Sequence, residues 1–347
     1  MAAAKHRVLV QAMTFEGDAA GQSVAIAIAA SGAKERRLLV DDYTRHVIND
    51  CFLALSRDGA LHAEAQATWD MFDGLKARGV GLRITNPVGH NPLAYATRNH
   101  KKLLVIDDVS WIGGINFSDH NFAWHDMMLR IEDAAVADWL AGEFDRDWQG
   151  NPRAARRLFG HIDLLSLPGN GNEAEFKTLL TRIAGARRSI EVISAYPTFP
   201  FVDAMADAAR RGVPVTLYTP RPNNKPVIRD YLMRVARKTG LSIGLLPEMT
   251  HMKAALIDGE ALVVGSSNFD FVSHRANAEY VATISDPALI AEAEVRLFTP
   301  ARALSTEPIA ADHSLWRGLR ATVGLRLADR LIAGLGEPTR IAEWRRP

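Results

Sequence analysis

Residues 99–107 read Asn99-His100-Lys101-Lys102-Leu103-Leu104-Val105-Ile106-Asp107, and residues 250–258 read Thr250-His251-Met252-Lys253-Ala254-Ala255-Leu256-Ile257-Asp258. Both follow the pattern H-x-K-x4-D. Each is succeeded by a turn of small residues, Gly113-Gly114-Ile115-Asn116-Phe117 in one case and Gly265-Ser266-Ser267-Asn268-Phe269 in the other. A repeat kept only for packing would hold its apolar positions and let the polar ones drift. Here the polar positions are kept, so the chain is read as two related halves.

The flanks repeat as well. Strand-like runs at 8–12 and 37–40 enclose a helix-like run at 21–31 in the first half. Runs at 189–194 and 214–218 enclose 201–211 in the second. After each motif comes a strand (126–131; 279–284) and then a helix (134–148; 287–298). Short strands alternating with helices predict an α/β sandwich with a largely parallel sheet. The first half carries about 30 extra residues, placed in a helical stretch at 61–78. Gly150-Asn151-Pro152 closes the first half. The expected organisation is 1–156, 157–300 and a tail, 301–347, with a helical piece at 315–335.

Composition limits the function classes. The 347 residues include 41 Lys plus Arg and 40 Asp plus Glu, a net charge of +1. That balance speaks against coating nucleic acid by bulk charge, so no stable nucleic-acid complex is expected. One cysteine, Cys51, allows neither an intrachain disulfide nor a cysteine metal cluster. It is expected to be buried in a helical run. No apolar run has the 18 or more residues that a spanning helix needs. Met1 to Arg7 leads straight into Val8-Leu9-Val10 without a leader-like apolar stretch, so the expected location is cytoplasmic, or peripheral on the inner membrane face.

On a strand, His100 and Lys102 share a face, and the hairpin brings Asn116 back beside them. His251, Lys253 and Asn268 repeat the set. Two histidines can serve as nucleophile and as general acid or base near neutral pH. Two lysines and two asparagines offer donors to a phosphate and to the extra charge of a pentavalent transition state. With lysines supplying positive charge and no carboxylate cluster beside the motifs, neither metal nor other cofactor is expected. The chemistry is phosphodiester cleavage or transfer through a phosphohistidine.

The duplicated motif resembles the phospholipase D superfamily over residues 7–300, and is most similar there to bacterial cardiolipin synthases. Gly113-Gly114-Ile115-Asn116 with Trp124-His125-Asp126 and Arg130 matches the first-half pattern of those enzymes. Gly265-Ser266-Ser267-Asn268-Phe269-Asp270 with Asn277-Ala278-Glu279 matches the second. The resemblance implies two pseudo-symmetric α/β halves with the active site at their interface. The motif residues His100, Lys102, Asp107, His251, Lys253 and Asp258 form the catalytic set, with His100 as nucleophile and His251 as general acid, then base. Asn116 and Asn268 hold the phosphate with the lysines. Asp126 and Glu279 orient the histidines, and are assigned to His100 and His251 respectively by nearness along the chain. Asp107 and Asp258 look structural in such enzymes. The implied partner is a phospholipid at a membrane surface; a nuclease of the same superfamily is the alternative. The N-terminal membrane helices usual in cardiolipin synthases are absent from this sequence, and Val272-Ser273 stands where Arg-Ser is usual.

Other residues receive plainer readings. His90, His120, His125 and His274 lack ligand spacing and are taken as surface or loop histidines. The pairs Arg36-Arg37, Arg156-Arg157, Arg187-Arg188 and Arg210-Arg211 are taken as solvated element ends. The tail from Leu315 onward mixes leucines with arginines and includes Trp344. Its arginines do not segregate onto one face, so packing on the core is expected ahead of membrane docking.

Overall fold

The computed structural model describes residues 1–88, 95, 97–312, 314–333 and 340–347. His90 and residues 334–335 of the expected tail helix lie outside the described residues.

The first half begins with β1 (Arg7–Ala12), α1 (Ala19–Ala29) and β2 (Glu35–Asp41), followed by a small hairpin, β3 (Val47–Ile48) and β4 (Cys51–Phe52). Then come α2 (Gly59–Ala77), β5 (Gly81–Thr85), the motif hairpin β6 (Leu103–Ile106) and β7 (Val109–Gly113), α3 (Asp119–Ala123), β8 (Met128–Glu132) and α4 (Ala134–Trp148). The second half runs β9 (Ala155–Phe159), β10 (Ile162–Pro168), α5 (Asn172–Ala184), β11 (Ile190–Ser194), α6 (Phe201–Arg210), β12 (Val215–Pro220), α7 (Pro226–Thr239) and β13 (Ser242–Leu246). Its motif hairpin is β14 (Lys253–Ile257) and β15 (Ala261–Gly265), followed by α8 (Phe271–Arg275), β16 (Ala278–Ile284), α9 (Pro287–Ala293) and α10 (Thr299–Leu304). Helix α11 (Leu315–Ala333) and strand β17 (Ile341–Glu343) follow.

Two sheets result, in the orders β17-β5-β2-β1-β6-β7-β8 and β13-β12-β11-β14-β15-β16-β10-β9. The α/β halves are as expected, but the sheets are not largely parallel. Only β1, β2 and β5, and correspondingly β11, β12 and β13, run parallel. From β1 to β6 and from β11 to β14 the pairing turns antiparallel and stays so. Crossovers containing helices join β1, β2 and β5, and correspondingly β11, β12 and β13, whereas tight hairpins join the two strands of each motif, and a hairpin can only connect antiparallel neighbours.

An apolar layer lies between the sheets, drawing Leu9, Val105 and Ile112 from one and Ile193, Leu256 and Val264 from the other. The outer faces are closed by α1 and α2 on one side, around Phe15 and Phe72, and by α5, α6 and α7 on the other, around Phe176, Phe201 and Leu232. The segment after residue 300 joins both layers. Helix α11 packs on α7, where Gly318 lies so close that a Cβ would come within 2.8 Å of Arg234 Cβ. Strand β17 pairs antiparallel with β5, and the Trp344 beside it is 2% exposed in the first half's core. Its indole N–H donates to Asp73 at 2.8 Å.

Cys51 is exposed, not buried. Asn49 and Asp50 take φ of 48° and 59°, so the chain turns there in a tight hairpin between β3 and β4 where a helix was expected. Arg37 is also not a solvated end. It lies on β2 over Phe144 and Trp148 and bonds Asp145 at 2.6 Å. Among the described residues no helix is long and apolar enough to cross a membrane.

Candidate active site

Each motif leans on the other half. The backbone N–H of His100 donates to the Ala278 carbonyl at 2.9 Å, and Ala278 N–H returns to Arg98 at 3.0 Å. Likewise His251 N–H donates to the His125 carbonyl at 2.7 Å, and His125 N–H to Met249 at 3.1 Å. In both places the residue following the bridging partner is a carboxylate, Glu279 after Ala278 and Asp126 after His125. The carboxylates are therefore delivered across the interface.

His100 Nδ1 donates to both oxygens of Glu279 at 3.1 Å, and His251 Nδ1 donates to Asp126 Oδ2 at 2.8 Å. This exchanges the expected partners: Asp126 holds His251, not His100, and Glu279 holds His100, not His251. Nearness along the chain misled because the pairing follows the bridges between halves. In each ring the carboxylate occupies Nδ1, which leaves Nε2 for chemistry.

Lys102 and Lys253 are fully buried, and each ammonium donates to the carbonyl of its own motif histidine, Lys102 at 2.9 Å. Burial brings Lys102 down to about 7 and Lys253 to about 8, against the opposing pull of Glu279 and Asp126. Burial also lowers His100 to about 4, opposed by Glu279 and helped by Lys102 and Lys253. His251 is pushed well down by burial, then by Lys253, Lys102 and His100. The two motifs thus lie in one electrostatic cluster, built for an anion.

The carboxylates differ. Burial raises Asp126 to about 6, against Lys253 and the Met127 N–H that donates to it at 2.8 Å. Burial acts on Glu279 too, but His100, Lys102 and the Ser266 hydroxyl outweigh it and hold it below its usual range. Ser266 and Ser273 both donate to Glu279, Ser273 at 2.7 Å. The position matching Ser266 is Gly114, where a Cβ would meet Asp126 Oδ1 at 2.2 Å. In one half a hydroxyl supports the carboxylate; in the other the backbone makes room for it.

Asn116 and Asn268 follow β7 and β15 and are buried. Asn116 Oδ1 accepts from Thr14 N–H at 3.3 Å, while Asn268 Oδ1 is buried with no hydrogen-bond partner among the described residues. Asp107 and Asp258 stand apart from this cluster, at the far ends of β6 and β14. Asp107 accepts from Lys5, His6 and Arg7 N–H at 2.8–3.0 Å, and Asp258 from Arg187, Arg188 and Ser189 N–H at 2.7–3.1 Å. They cap the chain entering β1 and β11 and contribute no group to the histidines. Lys101 points to the opposite face of its strand from Lys102, pairing with Asp147 at 2.9 Å and Ser166 at 3.1 Å, so Lys102 is the lysine of this motif beside His100.

Several contributors, Trp124 of the first-half pattern apart, carried no sequence signal. Fully buried Asp41 accepts from Arg98 at 2.8 Å and from Asn99 N–H at 2.7 Å, anchoring the segment before His100. Trp124 and Tyr196 set their rings 5.6 Å and 5.9 Å from His251, and Lys225 lies 4.2 Å over Tyr196. Ser266 and Ser273 were within reach of a reading that asked which groups could satisfy a buried glutamate. Of the lone histidines, His125 is exposed, His120 is half-buried between Ser118 and Trp124, and His274 packs on Phe176 and Phe201. Glu16, Asp18 and Glu64 do form a carboxylate group, their oxygens within 4.8 Å of one another, reached from Asn116 through Thr14 and Phe15. Burial pushes Glu16 up to about 9, with the nearby Glu64, Asp18 and Asp50 adding to the rise against the Asn49 N–H.

The sequence matches the family described as cardiolipin synthase, PLD-like domain, over residues 1–148 and 179–298. Cardiolipin synthase A of Yersinia pseudotuberculosis serotype O:1b (strain IP 31758) is 29% identical over 220 residues, 54% of this chain and 45% of that protein. The match thus spans about half the length of this relative. Among solved structures, phosphatidylserine synthase of Haemophilus influenzae Rd KW20 superposes with a TM-score of 0.72 at 14% identity, over 96% of this chain and 90% of that one. Polyphosphate kinase of Porphyromonas gingivalis superposes with a TM-score of 0.60 at 12% identity, over 95% of this chain and 50% of that one. At such identities the superpositions speak to fold alone.

Proposed function

The chain belongs to the cardiolipin synthase, PLD-like family, and from that premise we propose that it cleaves or transfers the phosphodiester of a phospholipid through a phosphohistidine on His100. The observation that carries this reading is the crossed pair of histidine–carboxylate contacts around two buried lysines.

The chemistry runs in two balanced steps. His100 Nε2 attacks phosphorus, the bond to the leaving alcohol breaks, and His251 Nε2–H gives that oxygen its proton. An acceptor hydroxyl then loses its proton to His251 and attacks phosphorus, and the P–N bond breaks. Glu279 fixes the tautomer of His100 with Nε2 unprotonated and supports its positive charge once phosphorylated. Lys102, Lys253, Asn116 and Asn268 hold the non-bridging oxygens as charge builds on them. An anionic phosphate also offsets the burial and the like charges that depress the two lysines and His251, so these groups carry charge when substrate enters while His100 stays neutral as the nucleophile. The near-neutral net charge favours lipid over nucleic acid as the diester.

The test sets phosphatidylglycerol vesicles beside single-stranded DNA, with wild-type protein and His100→Ala. Phosphatidyl transfer or release of the headgroup by wild type alone is expected. Cleavage of DNA with no action on lipid would replace this reading with the nuclease.

A further inference from the structure

Helix α11 presents large apolar side chains outward as well as inward. Gly318, Ala321 and Leu325 face the core, against α7. At 100° per residue, Leu319, Val323, Trp316, Leu327 and Leu331 fall on the opposite side. All are exposed, Trp316 at 76% and Leu331 at 70%. Helix α2 has the same length of 19 residues and closes the first half in the ordinary way. Its outward positions include His62, Gln66, Asp70 and Lys76.

Arg317 and Arg326 of α11 pair with Asp230 and Asp203, and the charge left unpaired around the stripe is positive. Arg320 and Arg330 lie within it, and neither has an ion-pair partner among the described residues. The only acid of α11, Asp329, is turned aside to Arg275. The groove between α11 and α7, where Leu315 and Ser314 meet Met233, adds Arg234, Arg237 and Lys238, again without ion-pair partners among the described residues.

We propose that this face of α11, with the cationic edge of α7, docks the protein on an anionic phospholipid surface. An apolar stripe with tryptophan sinks into the headgroup boundary, while arginines at its margins meet lipid phosphates. Basic side chains near a surface add attraction that salt screens. The poor segregation of arginine from leucine that spoke against docking in the sequence has a structural reason: one set of apolar residues is used by α7, and the exposed set is a second stripe. The inference goes beyond the proposed reaction, and its test reads binding without turnover, so the two stand or fall separately.

The full-length chain is sedimented with vesicles of phosphatidylcholine and with vesicles containing about one third phosphatidylglycerol. Wild type is expected on the anionic vesicles, with binding that weakens as salt rises. W316S/L327S should bind them about ten-fold more weakly. R320E/R330E should lose the preference for anionic over neutral vesicles. Thermal unfolding midpoints, unchanged in both variants, report that the fold is kept. Equal vesicle binding by wild type and W316S/L327S would overturn the proposal. So would a wild-type protein that ignores vesicles but forms a dimer that W316S/L327S abolishes, which would give the face to a second copy.

Discussion

The pair His100–Glu279 and the pair His251–Asp126 occupy equivalent places in two related halves, yet they are built differently. Glu279 accepts from two serine hydroxyls as well as from its histidine and is held in its ionised form. Asp126 has one backbone N–H besides its histidine, and burial raises it to about 6. A permanently ionised partner suits a histidine that must carry positive charge as a phosphoryl adduct. A partner nearer its titration point suits a histidine that passes a proton out and takes it back. The difference gives a structural ground for dividing the roles, which the local sequence around the motifs does not supply. It also shows that each half is incomplete, because each histidine depends on a carboxylate from the other.

The largest expected effects come from the histidines themselves. His100→Ala and His251→Ala should each lose at least about a thousand-fold in kcat/KM on phospholipid, and the double variant little more than either, since they act as a unit. A diester with a good leaving group sharpens the comparison. It needs no proton from His251, so it should restore the first step in His251→Ala and not in His100→Ala.

Next come the carboxylates, at about a hundred-fold or more each. Glu279→Gln should slow natural and activated diesters alike, because it weakens the attacking histidine. Asp126→Asn should slow the natural diester much more than the activated one. The opposite pattern would mean that the carboxylates serve the histidines of their own halves.

A smaller effect concerns protons. Lys102 and Lys253, at about 7 and 8, are partly neutral in the empty site at pH 7.5 to 8. An anion raises both, so binding of sulfate, which has no titratable proton of its own in this range, should take up protons there, and should tighten as pH falls from about 8 toward 7. Calorimetry in buffers of different ionisation enthalpy measures the uptake. Proton release would break the account of the lysines.

The smallest effects belong to Asp107 and Asp258. Replacement by Asn removes charge-assisted caps on backbone N–H groups and should cost about 1 kcal/mol of stability each, with kcat on the folded protein nearly unchanged. Thermal unfolding beside turnover separates the two. A large loss of kcat at full stability would return them to the chemistry.

What sequence could show was local. Helix α4 falls where its apolar spacing puts it, and the two motif hairpins follow from H-x-K-x4-D and the small-residue turns. Local pattern also recovered β1, α1, α6 and β16 to within a residue or two. What it could not show was long-range. The bridges from Asn99 to Ala278 and from His125 to Thr250 join residues more than a hundred positions apart, and they alone decide which carboxylate meets which histidine. The antiparallel turn of each sheet after β1 and β11 is likewise a matter of which strand comes next in space. Cys51 was misread because the Asn49-Asp50 turn is a two-residue signal inside an apolar stretch. The outward stripe of α11 was hidden because apolar residues on both faces of one helix cancel any sign of amphipathicity.

The central claim is that the two halves form one site in which His100 takes the phosphoryl group and His251 moves the proton. It is tested most directly by acid-quenched mass spectrometry of protein mixed with an activated phospholipid diester. His251→Ala should accumulate a phosphatidyl adduct on His100, and His100→Ala should accumulate none. An adduct on His251 in the His100→Ala protein, with none on His100 in the other, would contradict the division of roles read from the two carboxylates.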